Sequence, residues 1–248
     1  MRSAIIVRGV ILASVTGAGL AGHAWAQNRD KAWEVVPEVG YVFYGQPHLG
    51  DGTTVRIFPA PTSERDVRVV TSDIKNSPSY AFRFGYHFSK KRMIEFGFSG
   101  TSTRGSFHMH KTVYDNTPPV PPNPTVKSDV IKSEDVSLDL FIAHANYVYN
   151  FFMQHRGKVV GFVTGGVGIV NSSMFGQTAD PDLQAVIDLL VGDENDLMYD
   201  YGAGIRFFGS EKVGFRIDAR QVRYSSSNRG NQAQTEATFG LTLVLGGT

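Results

Sequence analysis

Alternation of aromatic with small or charged side chains dominates two stretches of this chain. In residues 80–88 every second residue is Tyr or Phe, and the residues between them are Ala, Arg, Gly and His. Residues 199–207 repeat the pattern, with Tyr, Tyr, Ala, Ile and Phe alternating with Asp, Gly, Gly and Arg. Because successive side chains of a β-strand point to opposite faces, the pattern predicts strands with one apolar face and one polar face.

The same period of two recurs along the chain and predicts eight strands. They are residues 33–44, 80–88, 94–98, 135–152, 158–171, 199–207, 213–220 and 239–245. Alternation weakens between Leu138 and Ala145, which predicts a bulge or a register change there. The glycines between Gly161 and Gly168 suit a close approach of the backbone to its neighbours or a bend of a barrel wall.

Short and long connections alternate strictly along the chain. The short ones are polar turns at residues 89–92, 153–157 and 209–212. The long ones are residues 45–79, 104–134, 172–196 and 225–235. Loops above about 15 residues are uncommon in compact soluble domains, whereas transmembrane barrels have short periplasmic turns and long external loops. We predict an all-β fold, an eight-stranded antiparallel up-and-down transmembrane β-barrel with short periplasmic turns and long extracellular loops.

The first 26 residues have the pattern of a secretory signal peptide. Arg2 and Arg8 precede an apolar run at residues 10–20, and Ala-Trp-Ala at residues 24–26 is a small-x-small cleavage site. The run is too short for a stable transmembrane helix. We therefore expect residues 1–26 to be a cleaved leader and residues 27–248 to form the barrel domain, with no further domain after it.

Composition excludes several classes of function. The chain has no cysteine, which rules out disulfides, thiolate metal sites and cysteine nucleophiles. Its 24 Lys and Arg against 23 Asp and Glu leave a net charge of +1, which argues against a nucleic-acid partner. The glycines near residue 165 lack the Lys-Ser/Thr of a phosphate loop. We expect no cofactor and no metal.

Charged residues fall on the face opposite the aromatic one. We predict that they form a network inside the barrel, where an eight-stranded lumen is just wide enough to be filled by side chains and paired charges are tolerated. The network consists of Glu38, Arg83, His87, Glu95, Arg206, Arg216, Asp218, Arg220 and Glu236. The alternative is a periplasmic lipocalin-like barrel with these charges on its wet outer surface.

Aromatic residues gather near both ends of the predicted strands, as expected for the two girdles of a membrane barrel. The turn-side group is Trp33, Tyr86, Phe88, Tyr147, Tyr149, Phe151 and Phe207. The loop-side group is Phe43, Tyr44, Tyr80, Tyr199, Tyr201 and Tyr224.

The chain resembles a known family in its last three strands. Residues 202–208 (GAGIRFF), 215–220 (FRIDAR) and 239–241 (FGL) are similar to those of barrel-domain outer-membrane proteins of Gram-negative bacteria. The whole chain after the leader resembles the small eight-stranded barrels of the OmpA-like superfamily. This resemblance implies a cell outer-membrane location and contact with outer-membrane lipid and lipopolysaccharide.

The carboxyl-terminal pattern resembles the signal that the barrel-assembly machinery reads. It runs Thr238-x-Gly240-x-x-Leu243-x-Leu245. It differs from that signal because it lacks aromatic residues and is followed by Gly-Gly-Thr. The resemblance implies the assembly machinery as a partner.

Two loop segments are candidates for contact with a protein partner. Pro118 and Pro121 belong to a stiff, extended proline-rich stretch. Asp180-Pro181-Asp182 predicts the start of a short helix whose apolar face carries Leu183, Ile187 and Leu190. That face could lie on the outer leaflet, plug the barrel mouth, dock a partner or pack on the protein's own loops.

Metal binding and catalysis have weaker support. His108 and His110 share a strand face, but two imidazoles make an incomplete metal site. Arg223-Tyr224-Ser225, together with Glu236, lies where barrel lipid A deacylases have His-x-Ser and Glu. Arginine stays protonated and cannot act as the base for Ser225. We therefore expect that the protein is not an enzyme.

These patterns indicate an integral outer-membrane barrel with a structural or interaction role through its extracellular loops. Three alternatives stay open: a narrow pore for small solutes, a subunit of a larger envelope complex and a lipid-modifying enzyme.

Overall fold

The computed structural model describes residues 30–45, 54–60, 63–115, 125–154, 158–175, 180–191, 194–226 and 230–246. The strands, in chain order, are β1 (Ala32–Tyr44), β2 (Thr54–Ala60), β3 (Ser63–Ile74), β4 (Ser77–Ser89), β5 (Arg92–Asp115), β6 (Thr125–Gln154), β7 (Val159–Phe175), β8 (Glu194–Phe208), β9 (Val213–Ser226) and β10 (Gly230–Gly246). One helix, α1 (Pro181–Val191), lies between β7 and β8.

Eight of these strands close into a ring. Their order is β5-β4-β1-β10-β9-β8-β7-β6, and β6 pairs again with β5. Every pairing is antiparallel, including that of the first strand with the last, in which Trp33 lies opposite Leu245 and Tyr44 opposite Gln234. The predicted eight-stranded, up-and-down barrel is confirmed.

The two remaining strands lie in a segment that we expected to be loop. β3 pairs with the upper part of β5, from Ile74 opposite Gly105 to Ser63 opposite Asp115, and β2 pairs with β3. β5 and β6 are 24 and 30 residues long, against the roughly 9–11 residues that cross a bilayer. The connections at 45–79 and 104–134 are long, as predicted, but much of their described length is β-strand rather than loop. These strands form a sheet, β2-β3-β5-β6, on the side predicted to be extracellular, and we call it the extracellular sheet.

The predicted irregularity in the middle of β6 is absent. Pairing with β5 is continuous from Tyr149 opposite Arg92 to Ser128 opposite Val113, which spans Leu138 to Ala145. The register of β6 with β7 shifts instead between Asn150 and Phe152, next to the turn end of the strand.

The outer wall of the ring is apolar and aromatic. Side chains such as Phe82, Phe96 and Ile217 are about half exposed and face outward at mid-height. Two aromatic residues assigned to the loop-side girdle do not belong to it, because Tyr224 is buried and Tyr44 packs against the interior. Within the described residues no helix is long and apolar enough to span a membrane.

The interior is layered along the barrel axis. At the turn end lie two small apolar clusters, Ala32, Phe208 and Val244, and Met93, Val148 and Phe162. Charged side chains fill the middle. Above them is a larger apolar cluster, which we call the upper core, formed by the loop-side ends of the strands, the extracellular sheet and α1.

Candidate functional site

Arg216 is the centre of the charged layer. Its Nη1 donates to Glu95 Oε2 at 2.5 Å and its Nε donates to Asp218 Oδ2 at 2.6 Å. The guanidinium carbon also lies 4.5 Å from the ring centroid of Phe162, which provides a cation–π contact. β9 brings Arg216 and Asp218 to the same inward face because they are two residues apart.

Three other arginines complete the layer: Arg83 of β4, Arg206 of β8 and Arg220, which shares β9 with Arg216. Arg83 Nε donates to Glu38 Oε2 at 2.5 Å, and Arg220 Nη2 donates to Glu95 Oε1 at 2.6 Å. Arg206 Nη1 donates to Asn150 Oδ1 at 2.9 Å. All these arginines are at most 1% exposed. Buried charges persist only when paired in this way, because an isolated one carries a desolvation penalty of several kcal/mol.

The nine residues predicted for the network all lie in the interior. His87 Nε2 is 2.8 Å from Glu34 Oε2, and Glu236 is buried within the electrostatic reach of Arg83 and Arg220.

Several network residues were missed. Among them are Glu34, Asp200 and Asn146, where Asn146 Nδ2 donates to Asp200 Oδ1 at 2.9 Å. Glu34 shares the strand face of Glu38, and Asp200 that of Arg206, so the alternation contained the signal for both.

Inward-facing glycines make room for the large side chains of the network. A Cβ on Gly97 would lie 1.8 Å from His144 Nε2, and one on Gly166 would lie 1.9 Å from Asn146 Oδ1. On Gly204 it would lie 2.5 Å from Asp218 Cβ. The glycine-rich strands are therefore explained by the volume of the residues opposite them.

Gly97→Ala is expected to destabilise the barrel by about 1–3 kcal/mol, since the new methyl group must displace His144 within a packed interior. Gly100→Ala, on the same strand but facing outward with nothing within 4 Å of its Cβ, is the matched control and should be neutral or slightly stabilising. Urea unfolding of the refolded variants measures the difference. Equal midpoints for the two variants would refute the packing argument.

Helix α1 closes the loop-side end of the barrel. Leu183, Val186 and Ile187 are fully buried and pack into the upper core with residues such as Phe107 and Leu138. Of the four placements considered for this apolar face, the structure combines two: the face plugs the barrel mouth and packs on the protein's own chain, here the strands of the segments predicted to be loops.

This packing corrects the assignment of Leu183 and Ile187 as contact residues for a partner, because the protein itself covers them. The side chain of Leu190 and the proline-rich stretch with Pro118 and Pro121 lie outside the described residues.

An ion-pair cluster, which we call the clasp, fastens the start of α1 to the extracellular sheet. Lys111 Nζ lies 2.9 Å from Asp180 Oδ2 and 2.6 Å from Asp182 Oδ2, and Lys132 Nζ lies 2.6 Å from Asp180 Oδ2. Asp180 Oδ1 also accepts a 3.1 Å hydrogen bond from the Asp182 amide, which confirms the predicted N-cap.

Both partners of the clasp have shifted pKa values. Partial burial alone would raise the pKa of the Asp180 carboxyl, but hydrogen bonds from Lys132 and Lys111 hold that pKa well below its ordinary value. Burial alone would lower the pKa of Lys111, and Asp182 and Asp180 raise it instead. The clasp is therefore ionised on both sides at neutral pH.

Asp180→Ala should loosen α1 more than Asp180→Asn, because asparagine keeps the N-cap, worth about 1 kcal/mol, while both lose the ion pairs. The measurement is the rate of tryptic cleavage in the extracellular sheet of intact, folded protein. In the wild type this rate, divided by the rate at which trypsin cleaves an unfolded reference substrate at the same pH, should be constant from about pH 5 to 9. A lowered carboxyl pKa gives stability that is lost only as pH falls below the ordinary carboxyl value, and a raised lysine pKa gives stability lost only as pH rises above the ordinary lysine value. Identical cleavage rates in Asp180→Ala and wild type would contradict a role for the clasp.

The two histidines considered for metal binding have other partners. His108 Nδ1 lies 2.6 Å from Ser133 Oγ, and His110 Nε2 lies 2.6 Å from Asp129 Oδ1. No group of three or more His, Asp or Glu residues in the described part of the chain could hold a metal ion.

The residues considered for catalysis are not brought together. Ser225 is exposed on the outside of the wall, whereas Glu236 is buried inside it. His144, a buried histidine of β6 that could in principle act as a base, instead contacts two network residues: its Nδ1 lies 3.1 Å from Asp200 Oδ2, and its Nε2 lies 3.3 Å from Arg83 Nη1.

Comparison with known proteins gives a family and several similar structures. A family model described as "Outer membrane protein beta-barrel domain" matches residues 10–245. Neisserial surface protein A is 10% identical, with a TM-score of 0.49 and coverage of 86% of this chain and 99% of that one. The N-terminal barrel domain of Pseudomonas aeruginosa OprF is 11% identical, with a TM-score of 0.42 and coverage of 87% and 98%. The attachment invasion locus protein Ail of Yersinia pestis, in complex with the heparin analogue sucrose octasulfate, is 15% identical, with a TM-score of 0.37 and coverage of 85% and 99%. No curated protein matches the chain.

Proposed function

The chain belongs to the family of outer-membrane proteins with a β-barrel domain, and from this premise we propose that it is a non-conducting barrel that acts through its extracellular sheet. The outer membrane is its location. The observation that carries the proposal is the filled interior, in which a layer of buried ion pairs lies below an apolar upper core.

The charged layer supports a closed lumen. A conducting path needs polar side chains that contact water, whereas Arg83, Arg206 and Arg216 are at most 1% exposed. Each of these arginines donates to a carboxylate or an amide oxygen on another strand. Arg216 also donates to Asp218 on its own strand. Opening a path would require separating these pairs in a medium of low dielectric constant, which carries a cost of several kcal/mol for each uncompensated charge.

The extracellular sheet supports an interaction role. Upper β5 and upper β6 continue well past the roughly 9–11 residues needed to cross the bilayer. One face of the sheet is anchored in the upper core through Val67, Val69 and Phe107. The other face is mostly polar and accessible, with pairs such as Arg56–Asp66 along it and exposed apolar side chains at Val70 and Ile131. A rigid polar surface held away from the membrane suits contact with a protein partner or another surface.

Export and insertion complete the proposal. Residues 1–26 direct the chain across the inner membrane and are cleaved, the assembly machinery inserts the barrel, and the outer wall contacts outer-membrane lipid and lipopolysaccharide. The half-exposed aromatic residues of the ring support this lipid contact.

Planar-bilayer recording of the purified, refolded barrel is the first test. The folded protein, identified by its heat-modifiable gel mobility, is expected to give no discrete current steps. Reproducible steps from the folded wild type would overturn the proposal in favour of a narrow pore.

A truncated variant tests the role of the extracellular sheet in cells. Replacing residues 54–74 and 105–135 by short turns removes most of the sheet and leaves the ring. If the sheet carries the function, strains with this variant should match the deletion strain in assays of surface adhesion. Wild-type adhesion with a folded truncated barrel in the membrane would refute the role.

A further inference from the structure

The periplasmic rim of the barrel is strongly basic. The described residues beyond or at the turn ends of the strands include six cations and two acids. The cations are Lys31, Lys90, Lys91, Arg92, Lys158 and Lys212, and the acids are Asp30 and Glu211. All six cations are exposed, so they are available to a ligand.

These cations stand at the level of lipid headgroups. Arg92 lies opposite Tyr149 in the β5–β6 register. Lys90 follows Phe88 by two residues and Lys91 follows it by three. Phe88 and Tyr149 are about 40% exposed and belong to the turn-side aromatic belt. Aromatic belts mark the membrane–water interface, so a cation adjacent to the belt is within reach of a headgroup phosphate.

The turn between β4 and β5 forms a shallow, open depression in this rim. This cavity has a volume of about 540 Å³ and is lined by Asp30, Phe88, Ser89, Lys90, Lys91 and Arg92. Asn150 fixes the turn with two hydrogen bonds. Its side-chain Nδ2 donates to the Lys90 carbonyl at 3.0 Å, and its backbone N–H donates to the Lys91 carbonyl at 2.8 Å. The lining contains three cations and one carboxylate, which leaves a net charge of +2.

We propose that this cavity binds the headgroup of an anionic phospholipid of the periplasmic leaflet. The phosphodiester lies against Lys90, Lys91 and Arg92, Ser89 and Asp30 are available to hydroxyl groups of the headgroup, and the acyl chains run along the outer wall past Phe88. The proposal uses the outer-membrane location of the chain and is independent of the role proposed for the extracellular sheet.

Charge decides the lipid class. Each basic residue near an anionic surface strengthens association by about fivefold, whereas a zwitterionic lipid such as phosphatidylcholine offers no net charge. The preference for phosphatidylglycerol over phosphatidylcholine should therefore be large at low salt and fall as the salt concentration rises.

The test uses full-length protein refolded into vesicles of phosphatidylcholine with a trace of spin-labelled lipid. The motionally restricted fraction of labelled phosphatidylglycerol, compared with that of labelled phosphatidylcholine, gives the relative association constant. We expect at least a fivefold preference in the wild type and its loss in Lys90→Gln/Lys91→Gln/Arg92→Gln. The matched control, Lys75→Gln/Arg104→Gln, removes exposed cations above the barrel wall and should keep the preference.

Two outcomes overturn the proposal. The first is equal association of both lipids with the wild type, and the second is an unchanged preference in the triple variant when its gel mobility shows a folded barrel. If the triple variant keeps its lipid preference but no longer co-sediments with peptidoglycan, the rim is assigned to the cell wall instead. If the triple variant fails to fold, Lys90→Gln/Lys91→Gln, confined to the turn, provides the same comparison.

Discussion

Arg216→Met is expected to lower the free energy of unfolding of the barrel by about 3–5 kcal/mol, because it removes one cation from a buried layer and leaves Glu95 and Asp218 only partly compensated, by Arg220 and Arg83. Glu95 would lose its 2.5 Å partner and Asp218 its 2.6 Å partner. Methionine fills much of the volume of arginine, so the loss of stability reflects the missing charge more than any change in packing. Urea unfolding in detergent micelles, followed by gel mobility, measures the change.

Arg223→Met is the control for the loss of an arginine. Arg223 lies on the same strand, faces outward and is exposed, and its replacement should change stability by no more than about 0.5 kcal/mol. A loss below about 1 kcal/mol in Arg216→Met would show that the charged layer is not a stabilising network.

A double-mutant cycle separates pairing from other effects. In Arg216→Met/Glu95→Gln the carboxylate that lost its Arg216 contact is also removed, so the loss of stability should be smaller than the sum of the two single losses. Strict additivity would mean that the Arg216–Glu95 contact has no energetic coupling.

The barrel ring could be predicted because its sequence signal is strictly periodic. Each wall residue faces either lipid or a charged interior, and these environments select opposite residue types at every second position. That is why Arg83, Glu95 and Asp218 could be assigned to the interior from their neighbours alone. Glu34 and Asp200 obeyed the same parity and were within reach of the same reasoning.

The upper half of the molecule could not be predicted because its interior is apolar. On β6 the inward residues change from Asn146 and His144 to Ile142, Leu140 and Leu138, so the polar-in pattern inverts along one regular strand. The weakened alternation led to the wrong expectation of a bulge. The inward orientation of Tyr224 has the same cause, since it packs in the upper core.

Pairing between distant segments was the other missing element. β3 pairs with β5 in a register that puts Val69 opposite Met109. No local sequence pattern identifies β5 as the partner of β3. The alternation Phe107-His108-Met109-His110 was visible in the sequence, but histidine on the outer face did not distinguish a membrane strand from a strand above the membrane. Long-range register depends on which apolar faces meet, and that requires the fold.

Leu183→Asp/Ile187→Asp is expected to release the extracellular sheet from the barrel while the ring stays folded. Both side chains are fully buried in the upper core. A carboxylate there without a partner costs several kcal/mol, and this cost exceeds the free energy with which α1 and the clasp hold the extracellular sheet in place. The membrane-spanning part does not depend on α1, because its strands close through their own backbone hydrogen bonds and lipid contacts.

Limited trypsin digestion of intact vesicles measures this release. Cleavage within β3 and upper β5 should rise at least tenfold, whereas heat-modifiable gel mobility should be unchanged. Leu189→Asp is the matched control, since it changes the same residue type on the same helix at a side chain that is 52% exposed; it should leave protection intact. Wild-type protection in the double variant would mean that α1 does not hold the extracellular sheet in place. Loss of the mobility shift would mean that the ring and its apolar upper core fold as one unit.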